Sequence, residues 1–485
     1  MITFLLSVAA LVAGYFIYSK VVEKVFGADA SRPTPAHTLA DGVDFVVLPG
    51  WKMFLIQFLN IAGLGPIFGA VAGALWGPVA FVWIVLGSIF AGGVHDYFSG
   101  MLSVRHGGES ITEITGRYLG RGAKQFMRLF SVVLLLLVGA VFIIGPAKIL
   151  HNMTSSWMTE AWWVALIFVY YFLSTVLPID QLIGRIYPLF GSALLFMAVG
   201  IGGMMFAREL PIPELTLHSF TNQHNGGAAF PVFPMLFLTI ACGAISGFHA
   251  TQSPMMARCM SNEKQGRRVF YGAMITEGVV ALIWAAISMS FFGGVKELNG
   301  VMSSNGGNAA LVVNEIANSL LGRVGAVLAL LGVVAAPITS GDTAFRSARL
   351  IIADLLKYEQ RPLLNRLWIS VPLFVAGFGL TLVDFAVVWR YFAFSNQALA
   401  TVVLWVVTAY LVRERKPYII ALVPALFMTV VVVSYILIAP EGLRLPLPVG
   451  YTAGFLMAAV GLTWTVITIY RGSLRLQRVP VGGEK

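Results

Sequence analysis

Few residues of this 485-residue chain could do acid–base or ligand chemistry, and they fall in short stretches of otherwise apolar sequence. His249 stands in "GAISGFHATQSP" with Thr251, Gln252 and Ser253 beside it. An imidazole with a pKa near 6.5 suits proton exchange, and hydroxyls and amides suit solute contacts. His95 and Asp96 are adjacent in "GGVHDYFSG", and Glu277 stands alone in "MITEGVV". Thr339, Ser340, Asp342 and Thr343 form a second polar cluster around Gly341, just after Pro337. Hydroxyls and a carboxylate are hard oxygen ligands of the kind that hold a small cation such as sodium. No other metal or cofactor is expected: Cys242 and Cys259 are too few for a disulfide framework, and no zinc-type Cys/His spacing occurs. No G-x-S-x-G and no other nucleophilic constellation is present, so an enzyme is not expected.

The elements that position these residues follow from composition. Hydrophobic residues make up 58% of the chain and charged residues 11%, against about 25% charged in a soluble domain. So little polar surface cannot cover a soluble body, and disorder needs the opposite balance. The chain reads as an all-α integral membrane protein. A helix crosses the bilayer with about 20 apolar residues. Thirteen segments qualify, near 2–19, 52–75, 78–104, 128–150, 161–178, 186–207, 232–254, 268–292, 324–350, 367–390, 396–412, 418–438 and 449–471. With the N-terminus outside, 26 of the 32 lysines and arginines fall on the cytoplasmic side, as the positive-inside rule requires. That asymmetry accounts for the net charge of +10 without nucleic acid. No basic segment precedes the first apolar run and no A-x-A site follows it, so a cleaved signal peptide is not expected. The amphipathic stretch 308–321 is expected to lie on the outer surface.

Two segments carry helix breakers at mid-length. The second reads "FLNIAGLGPIFGAVAG", with Gly63, Gly65, Pro66 and Gly69; the seventh carries Gly243, Gly247 and Pro254 around Ser246 and His249. Broken backbone is tolerated at membrane depth only where it lines a cavity or is held by protein. The two segments are five apart and of opposite direction, so segments two to six and seven to eleven read as inverted repeats meeting at a midplane site. The boundaries are 1–51 for an N-terminal helix and cytoplasmic loop, 52–207 for the first repeat and 208–231 for an extracellular loop. The second repeat spans 232–412, and two C-terminal helices with a tail span 413–485.

In this arrangement Gly63, Gly65, Ser246 and Gly247 supply backbone dipoles to solute, while His249, Thr251, Gln252 and Ser253 contact solute or proton. Proton or coupling-ion candidates are His249, His95, Asp96, Glu277, Thr339, Ser340, Asp342 and Thr343. Each has a plainer reading. His249 could simply bond loose backbone. His95 and Asp96 point about 100° apart on a helix, leaving Asp96 to pair with Arg105. Asp342 could pair with Arg346 four residues on, and the hydroxyls could bond their own helix. For sodium, segment nine would lie beside segment two and borrow its carbonyls near Asn60 to Gly63.

At these motifs the sequence resembles the carbon starvation protein A family. The matching stretches are "NIAGLGPIFGAVAGALWG", "HDYFSGMLSVRHGGES", "ISGFHATQSPMMARCMSNEKQGRRVFYGAMITEG" and "APITSGDTAFRSARLIIAD". The resemblance implies a bacterial inner-membrane transporter of the amino acid–polyamine–organocation superfamily with a five-plus-five, leucine-transporter-like core. It further implies import of pyruvate or peptides, with pyruvate uptake coupled to protons. The chain departs from the pattern at His95, where the family often holds glutamine, and it lacks the C-terminal helices of longer members. The expected function is secondary active import of a small carboxylate or short peptide, coupled to protons or alternatively to sodium. The rival reading is a membrane-embedded nutrient sensor that binds without transport. Oligomeric state is not legible in the sequence.

Overall fold

The computed structural model describes residues 1–41, 44–154, 156–176, 180–307, 309–360 and 362–477. Residues 177 and 178, at the end of the expected fifth segment, and the basic residues Arg478 and Lys485 lie outside them. All regular secondary structure among the described residues is helical, with no strand. Ten helices are long and apolar enough to cross a membrane, or eleven when the bent pair Gly50–Ile61 and Gly65–Trp76 is counted as one span. Two of the thirteen expected segments do not meet that test. The fifth is the 17-residue helix Glu160–Val176. The seventh is interrupted so often that its longest helical piece is Gly247–Ala257.

Burial sorts the helices into an inner set and a periphery. The apolar windows of Val79–Arg105 and Glu263–Phe291 are each 83% buried, and that of Phe385–Arg413 is 78% buried; Leu447–Ile469 is 17% buried. The inner helices are apolar all round because they touch protein on every side. The outer ones expose Leu6, Phe196, Trp368, Val375 and Phe455, a surface that water would not tolerate and lipid tails would. Three of the long helical segments contain a π-turn: Gly87–Gly92, Arg267–Tyr271 and Leu330–Ala335. Such bulges displace the helix register and often accompany functional sites.

Two local expectations change and one holds. Asp384 is not inside the tenth segment: that helix ends at Thr381, and Asp384 caps the next one, Phe385–Arg413, by accepting from the amides of Ala386 (2.9 Å) and Val387 (3.3 Å). A carboxylate at a helix N-terminus satisfies two otherwise orphaned donors. The stretch 309–321 forms a short amphipathic helix that ends at the sharp turn of Gly322: it buries Val312, Val313, Ile316 and Leu320 against the bundle and exposes Glu315, Asn318 and Ser319. Arg105 does not pair with Asp96. It reaches Glu263 with both Nε and Nη2 at 3.2 Å, and Tyr410 at 3.2 Å, closing the lysine- and arginine-rich face of the bundle.

On the opposite face a cavity of about 300 Å³ opens between the second half of segment two and the helix Phe385–Arg413, walled by Phe68, Trp76, Phe230, Met302, Phe385 and Trp389. The loop over it is held by His224, whose ring lies 4.5 Å from that of Trp76 and 4.8 Å from that of Phe230. His224 Nδ1 accepts the Gly226 amide (2.8 Å), and burial pushes its pKa down from 6.5 to about 4. The folded loop therefore favours the neutral ring. Its contribution to stability is intact above the ordinary imidazole value and is lost as pH falls from about 6.5 towards 4. Thermal unfolding followed across that window should show a falling midpoint for the native chain and a shallower fall for His224→Phe, which keeps the ring stack and cannot titrate. Equal slopes would show that the loop does not sense this proton.

Candidate functional site

The two interrupted segments meet at their breaks. Gly65, where the second half of segment two begins, lies so close to Cys242 that a methyl group at Gly65 would overlap its side chain. Pro66 Cα lies 3.7 Å from where a Cβ on Gly243 would sit. The helix Gly50–Ile61 and its continuation are bent by 48°. Glycine is required at Gly65 because only a missing Cβ lets the two backbones approach.

Interrupting a buried helix frees carbonyls and amides that must find partners. In segment seven, neighbouring side chains supply them. Trp83 Nε1 donates to Ile240 O (3.3 Å), Gln397 Nε2 to Ala241 O (3.5 Å) and Ser88 Oγ, from the first π-turn, to Gly243 O (3.1 Å). Asn396 does the most. Its Oδ1 accepts from the Phe248 amide (2.7 Å) and from Ser246 Oγ (3.0 Å), and its Nδ2 donates to Cys242 Sγ (3.4 Å). It is a helix cap supplied by another helix. Gly247 permits it, since a Cβ there would lie 2.5 Å from Asn396 O and 2.6 Å from Ala400 N.

One turn past the break, His249 is fully buried among carboxylates. Its Nδ1 lies 2.8 Å from Asp96 Oδ2, and its Nε2 lies 3.4 Å from Glu277 Oε2. His95 Nδ1 lies 2.7 Å from the other Asp96 oxygen, so one carboxylate joins two imidazoles. The expectation that His95 and Asp96 do not face each other is corrected here. Their Cα–Cβ bonds diverge, but an imidazole and a carboxylate are long enough to swing together. Both oxygens of Glu277, His249 Nε2 and His95 Nε2 lack hydrogen-bond partners, as do both amide atoms of Gln57, Asn60 Oδ1 and Gln252 Oε1. These atoms lie on Gly50–Ile61, Gly93–Arg105, Gly247–Ala257 and Gly272–Phe291, helices that pack on one another, and unpaired buried polar atoms there suit a site that binds something.

The other expected residues are placed as follows. Thr251 Oγ1 donates to Phe248 O (2.6 Å) and accepts from Gln252 Nε2 (2.9 Å), while Ser253 Oγ donates to His249 O (2.9 Å). Their hydroxyl protons are committed to their own helix. The second polar cluster gathers elsewhere, against Glu160–Val176. Ser174 donates to Asp342, which also lies 3.6 Å from Arg346 Nη2, and Gly341 packs under the Tyr171 hydroxyl. Thr339 and Ser340 both donate to Ala336 O, at 2.7 and 3.1 Å, and Thr343 donates to Ser340 O at 2.8 Å. A Cβ on Gly63 would meet the ring of Phe142, a side chain that also packs on Gly341. Asn396, Gln397, Ser88 and Trp83 were not legible as site residues. A polar triplet, Ser395 to Gln397, inside an apolar run is the one signal that pointed to them.

The family model described as "Carbon starvation protein CstA" matches residues 1–162, 145–324 and 307–435. The chain belongs to this family. An "Uncharacterized membrane protein" of Haemophilus influenzae is 45% identical over 351 residues, 63% of this chain and 95% of that one. A "Peptide transporter CstA" of Campylobacter jejuni is 26% identical over 552 aligned positions, 87% of this chain and 78% of that one. The "Pyruvate/proton symporter BtsT" of Escherichia coli is 27% identical over 342 residues, 57% of this chain and 47% of that one. Among solved structures, MhsT in complex with L-phenylalanine superposes with a TM-score of 0.54 at 13% identity, covering 87% of this chain and 99% of that one. A manganese transporter of Eremococcus coleocola superposes at 0.52 and 14%, covering 89% and 99%. These likenesses place the family member in the leucine-transporter-like fold, a multi-pass membrane architecture.

Proposed function

We propose that this protein is a secondary active transporter that imports a small carboxylate such as pyruvate, or a short peptide, by alternating access. The observation that carries this reading is the contact between two interrupted segments, Gly65 against Cys242, with polar atoms of Gln57, Gln252 and Glu277 buried on the helices that carry or flank the breaks. In transporters with inverted repeats, such paired breaks are where solute and coupling ion bind. The names of the Campylobacter and Escherichia relatives supply the two solute classes. The coupling ion is a proton, carried by His249 between Asp96 and Glu277. In the second polar cluster, Asp342 already has Ser174 and Arg346 as partners, which argues against sodium there. The protein sits in the bacterial inner membrane with its N-terminus periplasmic and its C-terminus cytoplasmic, so the Arg105–Glu263 closure faces the cytoplasm and the 300 Å³ cavity faces the periplasm.

Purified protein in liposomes, given labelled pyruvate or a labelled dipeptide in sodium-free buffer, should accumulate one of them when the outside is made acidic. Accumulation that requires a sodium gradient would overturn proton coupling. Binding without accumulation under either gradient would favour the sensor.

A further inference from the structure

Cys242, His249 and Glu277 converge in a way that solute or proton binding does not require. One ligand atom from each lies within 4.8 Å of the others, and all three residues are buried. They come from three places: the break of segment seven, the helix after it and the neighbouring helix Gly272–Phe291. His249 Nε2 and both Glu277 oxygens are fully buried, and the 3.4 Å approach of Nε2 to Oε2 is an ion-pair contact without hydrogen-bond geometry.

We propose that these three side chains form a binding site for a thiophilic divalent cation of the zinc class. The ligand types decide the class. A thiolate with an imidazole nitrogen selects zinc-like ions over magnesium or calcium, which prefer all-oxygen shells. The surroundings complete the pattern. A metal-binding histidine usually donates its other ring N–H to a carboxylate, which fixes the tautomer and aims the free nitrogen at the ion. His249 does this with Asp96, at 2.8 Å through Nδ1, and so presents Nε2 to Glu277, with Cys242 Sγ in the same cluster. Asp96 is in turn held by His95 at 2.7 Å. The ligand form of cysteine is the thiolate, and Asn396 Nδ2, 3.4 Å from Cys242 Sγ, is placed to donate to it.

Bonds of about 2.3 Å to sulfur and about 2.0–2.1 Å to nitrogen and oxygen put tetrahedral ligand atoms roughly 3.3–3.7 Å apart. The cluster needs to close by about one ångström, within reach of side-chain rotation at Cys242 and Glu277. Charge also balances. A divalent ion entering displaces the Cys242 thiol proton and any proton on His249 Nε2, and the two anionic ligands, thiolate and carboxylate, neutralise it in a medium that does not tolerate a bare charge. Three protein ligands leave a fourth position for water or solute.

The full-length protein in lipid nanodiscs, titrated with cobalt(II) as a spectroscopic probe, should bind one ion and show a thiolate-to-cobalt charge-transfer band that zinc removes. The band should vanish in Cys242→Ser, persist in Cys259→Ser, and require at least tenfold more cobalt in Glu277→Gln. Zinc should also raise the thermal midpoint of the native chain and not that of Cys242→Ser, with the far-ultraviolet spectrum showing that the variant is folded. A native chain without the band, or a band lost in Cys259→Ser instead, would overturn the assignment. Transport need not occur for this result, so a failed uptake assay and a failed metal assay are separate outcomes.

Discussion

His249→Gln is expected to reduce proton-driven uptake by roughly 10²-fold, the scale on which a positioned proton carrier matters, while solute exchange in the absence of a gradient persists. The reason is geometric. His249 sits on the interrupted segment, one turn from its break, with Asp96 at 2.8 Å on one side and Glu277 at 3.4 Å on the other. A charge gained or lost there acts directly on the interrupted segment. Exchange needs no net proton, so it separates a lost carrier from a lost binding site. Glutamine can still donate an amide hydrogen to Asp96, whereas alanine would strand two buried carboxylates; removing one partner of a buried pair costs about 3–5 kcal/mol. Asp96→Asn should give the same split between driven uptake and exchange. Driven uptake that survives both substitutions would take this cluster out of the coupling mechanism.

The extent to which this site was legible in the sequence follows from what each signal encodes. Helices long enough to cross a membrane are written in run length, and the breaks in segments two and seven are written in Gly and Pro, which act locally. Both kinds of feature are therefore visible one segment at a time. Partner choice is not local. Arg105 and Glu263 are 158 residues apart, and a charge count gives their side of the membrane but not their pairing. Asp384 was read as part of a span because Leu382, Val383 and Phe385 surround it with apolar sequence; a hydropathy window averages over the turn that the carboxylate creates. Helical periodicity also misplaced His95 relative to Asp96, since it orders Cβ directions and not the ends of side chains. The hydroxyls of segment nine bonding to Ala336 O were legible as one of two readings, because that alternative is local too.

Asn396 supports a sharper test of whether the break in segment seven is a built feature. Its Oδ1 holds the Phe248 amide at 2.7 Å and Ser246 Oγ at 3.0 Å, and its Nδ2 holds Cys242 Sγ at 3.4 Å, so one side chain fixes residues on both sides of the interruption. Asn396→Leu preserves approximate volume but leaves a buried amide and a buried hydroxyl without an acceptor, each costing about 1–3 kcal/mol. The expected result is a protein less stable by about 2–4 kcal/mol, since the loss resembles removal of an N-cap together with one further buried hydrogen bond. Uptake should fall at least tenfold. Asn396→Asp keeps the acceptor and loses only the donor to sulfur, so it should retain the cap and most of the uptake. The ordering, native above Asp and Asp above Leu, is what a cap at a broken helix requires. If Asp proved as damaging as Leu, the sulfur contact or the neutrality of the position would be the important feature, and the segment would owe its interruption to Gly243 and Gly247 rather than to the amide that now spans it.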